Sequence, residues 1–476
     1  MKRKHTSPDG VKSVIRGAEG LLELIVLSAV YYLVWQFGYK EYAFPEYLGK
    51  GKYVLAGVYA LLTLFLFFNY DGFKFGYLTF GNALASQWIA LFIVNFITYW
   101  QLCLIANVMI SPLPMLVLLT IDFALSMGFC AVYTFIYHRT YTPKNMVMVF
   151  GNNDAVTLKF KMDTRQDKYI ITKLLPASEG LEHICQELHN YDAVVINDIE
   201  AQLRNDILKY CYAHQIRAYV APKVSDIIIK GGENINLFET PLILVKGKAM
   251  TVPQKIVKRI FDIIVSGLVL LVGSPFMLLV ALAIKLEDGG PVFFKQSRVT
   301  YNNRRFDILK FRSMIVDAEK EGLSIPATGK DPRITKVGNF IRATRLDELP
   351  QCINILKGDM SIVGPRPERW EHMEKYGKLV PEFQLRTKVK GGLTGYAQIY
   401  GKYNTTPYDK LRLDMMYIEN YSFFNDIKLI LMTIRIMLKK DSTEGFDKIE
   451  ELEKKKEELL HEIYEEEAPF LPTSEE

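Results

Sequence analysis

Apolar and polar positions alternate on two scales along this chain. On the longer scale, apolar runs at 21–37, 53–68, 84–109 and 113–137 each approach or exceed the ~20 residues a helix needs to cross a bilayer. On the shorter scale, residues 145–150, 193–197 and 217–221 are short β-branched runs separated by polar stretches of helical pattern, which predicts a small α/β domain over 145–248. Tyr169-Ile170-Ile171-Thr172-Lys173 within it reads as a strand. Near the C-terminal end, 418–438 carries Ile427, Leu431, Ile434, Met437 and Leu438 at helical spacing beside Lys428 and Arg435. That pattern predicts an amphipathic helix, either lying on a membrane surface or facing the core. Residues 444–467 form a Glu/Lys tail with Ile449, Leu452, Leu459 and Ile463 near heptad spacing, a solvated helix or a short coiled coil.

A fifth long apolar run, 256–286, differs from the first four because Gly273-Ser274-Pro275 interrupts it. Pro275 removes a backbone donor and crowds the preceding turn, while the Ser274 hydroxyl can bond a freed carbonyl, so a bend is expected there. Lys255, Lys258 and Arg259 precede the run and Lys285 closes it. Cations on both sides suit a helix that enters the membrane, bends at Ser274-Pro275 and returns, better than one that crosses. For the first four runs, basic flanks at Lys2, Arg3, Lys4, Lys12 and Arg16 and at His138, Arg139 and Lys144 place both ends of the group in the cytoplasm. The leader 1–16 has no small-residue cleavage site and reads as a cytoplasmic flank. Glu23 and Asp122 are costly in lipid and are expected to face neighbouring helices. Tyr31, Trp35, Tyr53, Trp88, Trp100 and Tyr137, at the run ends, are expected at the membrane interfaces.

Composition changes this picture in two ways. With 476 residues the chain holds two or three domains. The net charge of +5 hides a strongly acidic end and a correspondingly basic remainder, which points to membrane or phosphate partners and is not read as a nucleic-acid surface. The 5 cysteines form no CxxC pair and the 7 histidines no ligand cluster, which argues against zinc or a disulfide framework.

The candidate chemistry is concentrated in 310–367. Lys310, Arg312, Arg333, Lys336, Arg342, Arg345 and Arg366 surround one adjacent carboxylate pair, Asp347 and Glu348. Guanidinium and ammonium groups bind phosphate oxygens, and two carboxylates can divide the work of nucleophile, base or Mg2+ ligand. By charge alone, a solvated or membrane-facing surface is the competing reading. A helix is predicted over 344–357, with Thr344 or Asp347 as its cap, Pro350 in the first turn and Lys357-Gly358 at the end. There the macrodipole and Arg342 and Arg345 would favour ionised Asp347; a plain N-cap is the alternative role. Pro365-Arg366-Pro367 holds a guanidinium rigidly. Gly391-Gly392-Leu393-Thr394-Gly395, with Lys388 and Lys390, is either an anion-binding loop or a turn. Gly151-Asn152-Asn153-Asp154 follows the first short strand with only the first glycine of GxGxxG, which speaks for a structural or regulatory module over a dinucleotide site.

These motifs together resemble the bacterial sugar transferase family, the monotopic phosphoglycosyl transferases. The resemblance covers about 255–440: Lys258-Arg259-Ile260-Phe261-Asp262, the Ser274-Pro275 break, KFRSM, DPRIT, LDELPQ, LKGDMSIVGPRP and GGLTGYAQ. It implies a membrane protein of mixed class: a four-helix transmembrane region over 1–144, a Rossmann-like α/β domain over 145–248, and an α-rich catalytic domain over 255–440 carried on the re-entrant helix 256–286, followed by an acidic tail over 441–476. It further implies transfer of hexose-1-phosphate from a UDP-hexose to undecaprenyl phosphate at the cytoplasmic face of a bacterial inner membrane, releasing UMP, as the first membrane step of exopolysaccharide, capsule or O-antigen synthesis. Asp347 corresponds to the nucleophile and Glu348 to its partner, the two positioning Mg2+, with Lys310, Arg312, Arg342 and Arg366 binding phosphates. Large members resemble homodimers. Where many relatives carry an arginine after the GxTG segment this chain has Lys402, which supplies charge without a bidentate fork. A membrane-bound nucleotide-sugar dehydratase and a non-catalytic membrane scaffold are the rival readings.

Overall fold

Long uncharged runs leave the backbone no partner but itself in an apolar medium, and helices result. The protein, here as a computed structural model, is described over residues 9–42, 47–152, 154–237, 239–247, 249–316, 318, 331–401 and 405–437. The acidic tail and Lys402 lie outside the described residues. The chain divides into two units, one of residues up to Asn145 with Met162–Ile170, the other of Met146–Lys161 with the chain from Ile171 onward.

The first unit contains α1 (Asp9–Gly38), α2 (Lys52–Asn69), α3 (Phe80–Ala106) and α4 (Leu113–Thr140). Each has the length and composition to cross a membrane. Helix α1 packs on α2 and α4, and α3 on α2 and α4. The polar residues embedded in these helices face one another. Gln87 donates to Glu23 at 2.9 Å, and Tyr59 and Asn95 donate to Asp122 at 2.8 and 2.9 Å. Tyr31 and Trp35 are buried among these helices, and the Tyr31 ring stacks on Tyr59 at 4.4 Å.

The second unit begins with a four-stranded sheet of β1 (Lys144–Phe150), β2 (Tyr169–Pro176), β3 (Ala193–Asn197) and β4 (Arg217–Val220) in the order β2-β1-β3-β4. β1 and β4 both run parallel to β3. Helices α5 (Asp154–Asp163), α6 (Gly180–Leu188), α7 (Ala201–Ala213) and α8 (Val224–Lys230) connect or follow the strands. A Cβ on Gly151 would stand 2.3 Å from the Asp198 carbonyl oxygen, so this glycine serves a backbone-to-backbone approach at the end of β3. A small hairpin, β5 (Glu233–Ile235) and β6 (Leu242–Leu244), then leads to α9 (Val252–Asp288).

Helix α9 is continuous through Pro275, so the break expected at Ser274-Pro275 does not interrupt the helix. The carbonyl that loses its partner to this proline is that of Leu271, and Ser274 Oγ donates to it at 2.8 Å. Apolar residues such as Ile260, Ile264, Leu268, Leu271, Val272, Leu278 and Leu282 are exposed along the helix, while Lys258, Asp262, Ser266, Val280 and Ile284 are buried. Beyond it come the hairpin β7 (Phe293–Val299) and β8 (Arg305–Phe311), α10 (Lys336–Ala343), α11 (Gln351–Lys357), β9 (Ser361–Val363), α12 (Trp370–Leu379), β10 (Gly392–Thr394), α13 (Tyr396–Tyr400), α14 (Pro407–Glu419) and α15 (Phe423–Met437). The main core joins Ile355, Met360, Ile362, Phe383, Leu411, Met415, Ile418 and Leu429 with Val224 and Ile227 of α8. Helix α15 turns Asp426, Leu429 and Met432 toward the core, while Ile434 and Met437 of the expected apolar stripe are exposed on another face.

Candidate active site

The carboxylate pair sits on a tight turn rather than in the first turn of a long helix. Arg345 adopts a left-handed conformation (φ 58°), Leu346–Glu348 form a single 3-10 turn, and α11 starts only at Gln351 after Pro350. This corrects the helix expected over 344–357: a left-handed residue ends the Lys336–Ala343 helix, and Pro350 has no N–H with which to continue a ladder backward. Only the C-terminal end matches, where Gly358 takes a left-handed conformation with φ 93°. The turn drives Asp347 inward to 9% exposure and aims Glu348 at the cations.

Glu348 is the best-held group. Lys310 Nζ of β8 and Arg366 Nη2 of the Pro365-Arg366-Pro367 turn both meet its Oε1, at 3.2 and 3.1 Å. Burial alone would raise this carboxyl, but Lys310, Arg366 and Arg345 outweigh it and hold Glu348 well below the usual carboxylate range. Asp347 behaves in the opposite way. Burial, helped by the Glu348 charge, raises its carboxyl above the ordinary aspartate value against the pull of Lys310, Arg345 and Arg342. The expected preference for ionised Asp347 is therefore reversed, because desolvation exceeds what the neighbouring cations return. Among the described residues nothing donates a hydrogen bond to the Asp347 side chain. A charged and neutralised carboxylate thus adjoins one whose proton is held more tightly, and pairs whose environments push them apart in this way divide acid, base and nucleophile roles.

The other expected site residues fall in two groups. Arg342, on the last turn of α10, acts on Asp347 through its charge and makes no side-chain hydrogen bond among the described residues. Arg312 is not brought to the pair: its guanidinium forks onto Asp288 at the end of α9, with Nη1 at 2.5 Å from Oδ2, and Nε donates to the Pro291 carbonyl at 2.7 Å. Arg333 is likewise taken by Asp331. The glycine-rich segment is not an open anion loop. Gly391 N donates to Thr300 Oγ1 at 3.0 Å, Gly392 N to the Pro365 carbonyl at 2.8 Å, and β10 pairs parallel with β9. A Cβ on Gly392 would lie 2.1 Å from Gly364 N, so glycine here permits two backbones to touch.

Helix α9 is fastened to this site at both ends. Toward its start, Lys258 pairs with buried Asp426 at 2.6 Å, Arg259 donates to the carbonyls of Ile355 and Leu356 at 2.6 and 2.7 Å, and Asp262 accepts from Ser361 Oγ and Ile362 N at 3.0 Å each. Toward its end, Glu287 accepts from Lys336 N at 2.8 Å at the start of α10, and Asp288 holds Arg312. Lys258 and Arg259, in the first turns of α9, thus face a protein carboxylate and protein carbonyls. Lys258, Asp262 and Ser266 lie on one helical stripe, a polar signal within an apolar run that marks the protein-facing side.

Asp347 and Glu348 fit Mg2+ in the way such ions are commonly held, by one or two carboxylates with substrate phosphates and water completing the shell. No group of three or more His, Cys, Asp or Glu assembles among the described residues to form an all-protein cage.

Residues 253–440 match the family model described as bacterial sugar transferase. The chain is 38% identical over 259 residues to a Klebsiella pneumoniae protein named UDP-glucose:undecaprenyl-phosphate glucose-1-phosphate transferase, covering 53% of this chain and 54% of that one. It is 43% identical over 205 residues to a protein of the same name from Escherichia coli (strain K12), covering 42% of each. An Aeromonas hydrophila protein named UDP-N-acetylgalactosamine-undecaprenyl-phosphate N-acetylgalactosaminephosphotransferase is 33% identical over 326 residues, covering 65% of this chain and 70% of that one. The chain spans about half the length of the first two relatives.

Proposed function

This chain belongs to the bacterial sugar transferase family, and on that premise we propose that it moves hexose-1-phosphate from a UDP-hexose to undecaprenyl phosphate and releases UMP. The observation that carries the reading is the unequal pair: Glu348 clamped by Lys310 and Arg366, and Asp347 buried beside it with no hydrogen-bond donor among the described residues. In the first step an Asp347 carboxylate oxygen attacks the phosphorus that bears the sugar. The P–O bond to UMP breaks, UMP leaves, and an aspartyl phosphosugar remains. In the second step a phosphate oxygen of the polyprenyl phosphate attacks the same phosphorus, freeing Asp347 and giving a lipid diphosphosugar. Lys310 and Arg366 stabilise negative charge near the transferred group, and Arg342 keeps Asp347 from holding its proton too tightly. Mg2+, when bound by Asp347 and Glu348, supplies further neutralisation of the diphosphate. A panel of UDP-sugars with polyprenyl phosphate tests the activity: UMP release from at least one is expected, and none from any would end the reading.

The membrane arrangement belongs to the same proposal. Helices α1–α4 form a transmembrane bundle, the β1–β4 segment is a Rossmann-like domain, and α9 is re-entrant with the catalytic residues at the cytoplasmic headgroups. Both ends of α9 are bonded to one folded unit. A straight helix from Asp262 to Glu287 would span about 38 Å, more than a hydrocarbon core of about 30 Å, and crossing would require parts of that unit on both faces. Single cysteines, Val252→Cys and Leu286→Cys, in a chain whose native cysteines are replaced, are expected to react only from the cytoplasmic side of sealed vesicles. Reaction of Leu286→Cys from the exterior would contradict the re-entrant path. The dehydratase alternative, already weakened by the incomplete GxGxxG, gains nothing from Gly151, whose missing side chain is needed against Asp198.

A further inference from the structure

Arg366 reaches Glu348 from a turn that lacks regular structure of its own, and the turn is held from behind, carbonyl by carbonyl. Pro365 O accepts from Gly392 N at 2.8 Å and Glu368 O from Val299 N at 2.9 Å. Between them, Pro367 O accepts from Arg298 Nη1 at 3.2 Å, and Arg366 O accepts from Arg386 Nη2 at 2.9 Å. Arg386 is buried, 3% exposed. Its Nε donates to Asp414 Oδ2 at 2.9 Å, Nη2 lies 2.8 Å from the same oxygen, and Nη1 stands 3.5 Å from Glu368 Oε1. The guanidinium also lies over the Phe383 ring, 4.9 Å from its centroid. Glu368 pairs in turn with Lys410, and His372 Nδ1 approaches its other oxygen at 3.6 Å.

The buried Arg386, the partly buried Lys410 and two buried carboxylates therefore interlock directly beneath the turn. As a device for stability this is a poor choice, since well-packed apolar residues of the same volume often match or exceed a buried ion network. What apolar residues cannot do is place an N–H at the Arg366 carbonyl with a fixed direction. Arg386 does so because its planar fork is fixed on one edge by Asp414 and faces Glu368 on the other.

We infer that Arg386, fixed by Asp414, is a positioning residue for Arg366: it holds the backbone from which Arg366 reaches Glu348, and acts on the carboxylate pair only through that contact. The inference deepens the transferase reading and rests on it. Arg386→Lys keeps the charge but loses the fork. In the full-length protein in lipid nanodiscs, UMP release by this variant should show kcat lowered roughly 10-fold or more with the KM for UDP-sugar little changed. If the variant does not fold, Asp414→Asn is read in the same way. An unchanged kcat, or a kcat loss matched by a rise in KM, in a folded variant overturns the inference and leaves the transferase reading intact. Failure of both variants to fold also overturns it, since the network then holds the domain rather than the turn. Absence of UMP release by the wild-type chain with every UDP-sugar removes the transferase reading first, and this inference with it.

Discussion

Asp347→Asn is expected to lower UMP release at least about 10³-fold while leaving the protein folded and able to bind UDP-sugar. The amide keeps the size and much of the polarity of the carboxyl but offers no anionic oxygen to attack phosphorus. Asp347 accepts no hydrogen bond among the described residues and carries no clamp like that on Glu348, so the substitution breaks no ion pair and the loss should fall on turnover rather than stability. The wild-type pH profile carries a matching expectation. Burial raises the Asp347 carboxyl above its ordinary value, so the acid limb of kcat/KM should lie above the ~3.9 of a free aspartate. Removing a cation that opposes the rise, as in Arg342→Ala, should move the limb further up. Full turnover by Asp347→Asn would contradict the covalent scheme.

The second large effect is on stability. Asp426→Ala removes the partner of buried Lys258 and the acceptor of the Tyr417 hydroxyl, which donates to Asp426 at 2.9 Å. A cation left unpaired at such a site costs about 3–5 kcal/mol. For a domain of this size the loss corresponds to a fall in Tm on the order of 10 °C, measured by thermal unfolding in nanodiscs. The double variant Lys258→Met, Asp426→Leu should recover much of it, because removing both charges leaves neither stranded. A single variant with wild-type Tm would show that α9 is not fastened to the catalytic unit through this pair.

Much of the architecture was legible because the signals were long or doubled. Apolar runs of membrane length gave α1–α4 and α9, alternating short runs gave the strands β1, β3 and β4, and proline next to serine marked the place where Ser274 meets the freed Leu271 carbonyl. The carboxylate pair and Arg366 were legible from charge density and rigid flanking prolines. What was not legible depended on partners far apart in sequence. Arg312 was expected among the phosphate-binding cations but finds Asp288, and nothing local indicates that Asp288 turns back toward it. The helix expected over 344–357 fails at Arg345, whose left-handed backbone no side-chain preference announces. The reversed Asp347 shift came from burial, which charge counting ignores. A signal was present, though unused, for the network under Arg366: Asp414 occupies the buried stripe of α14 with Leu411, Met415 and Ile418, where an apolar residue would otherwise stand.

The covalent intermediate is the central claim, and trapping it is the most direct test. Wild-type protein incubated with UDP-sugar in the absence of polyprenyl phosphate should release UMP in a burst approaching one equivalent per chain. Intact-mass analysis and peptide mapping should then find one added hexose phosphate on the peptide containing Asp347, discharged when polyprenyl phosphate is supplied. UMP formed only when both substrates are present, with no mass added to the protein at any time, would mean that the sugar phosphate passes directly between substrates and that Asp347 is not the nucleophile.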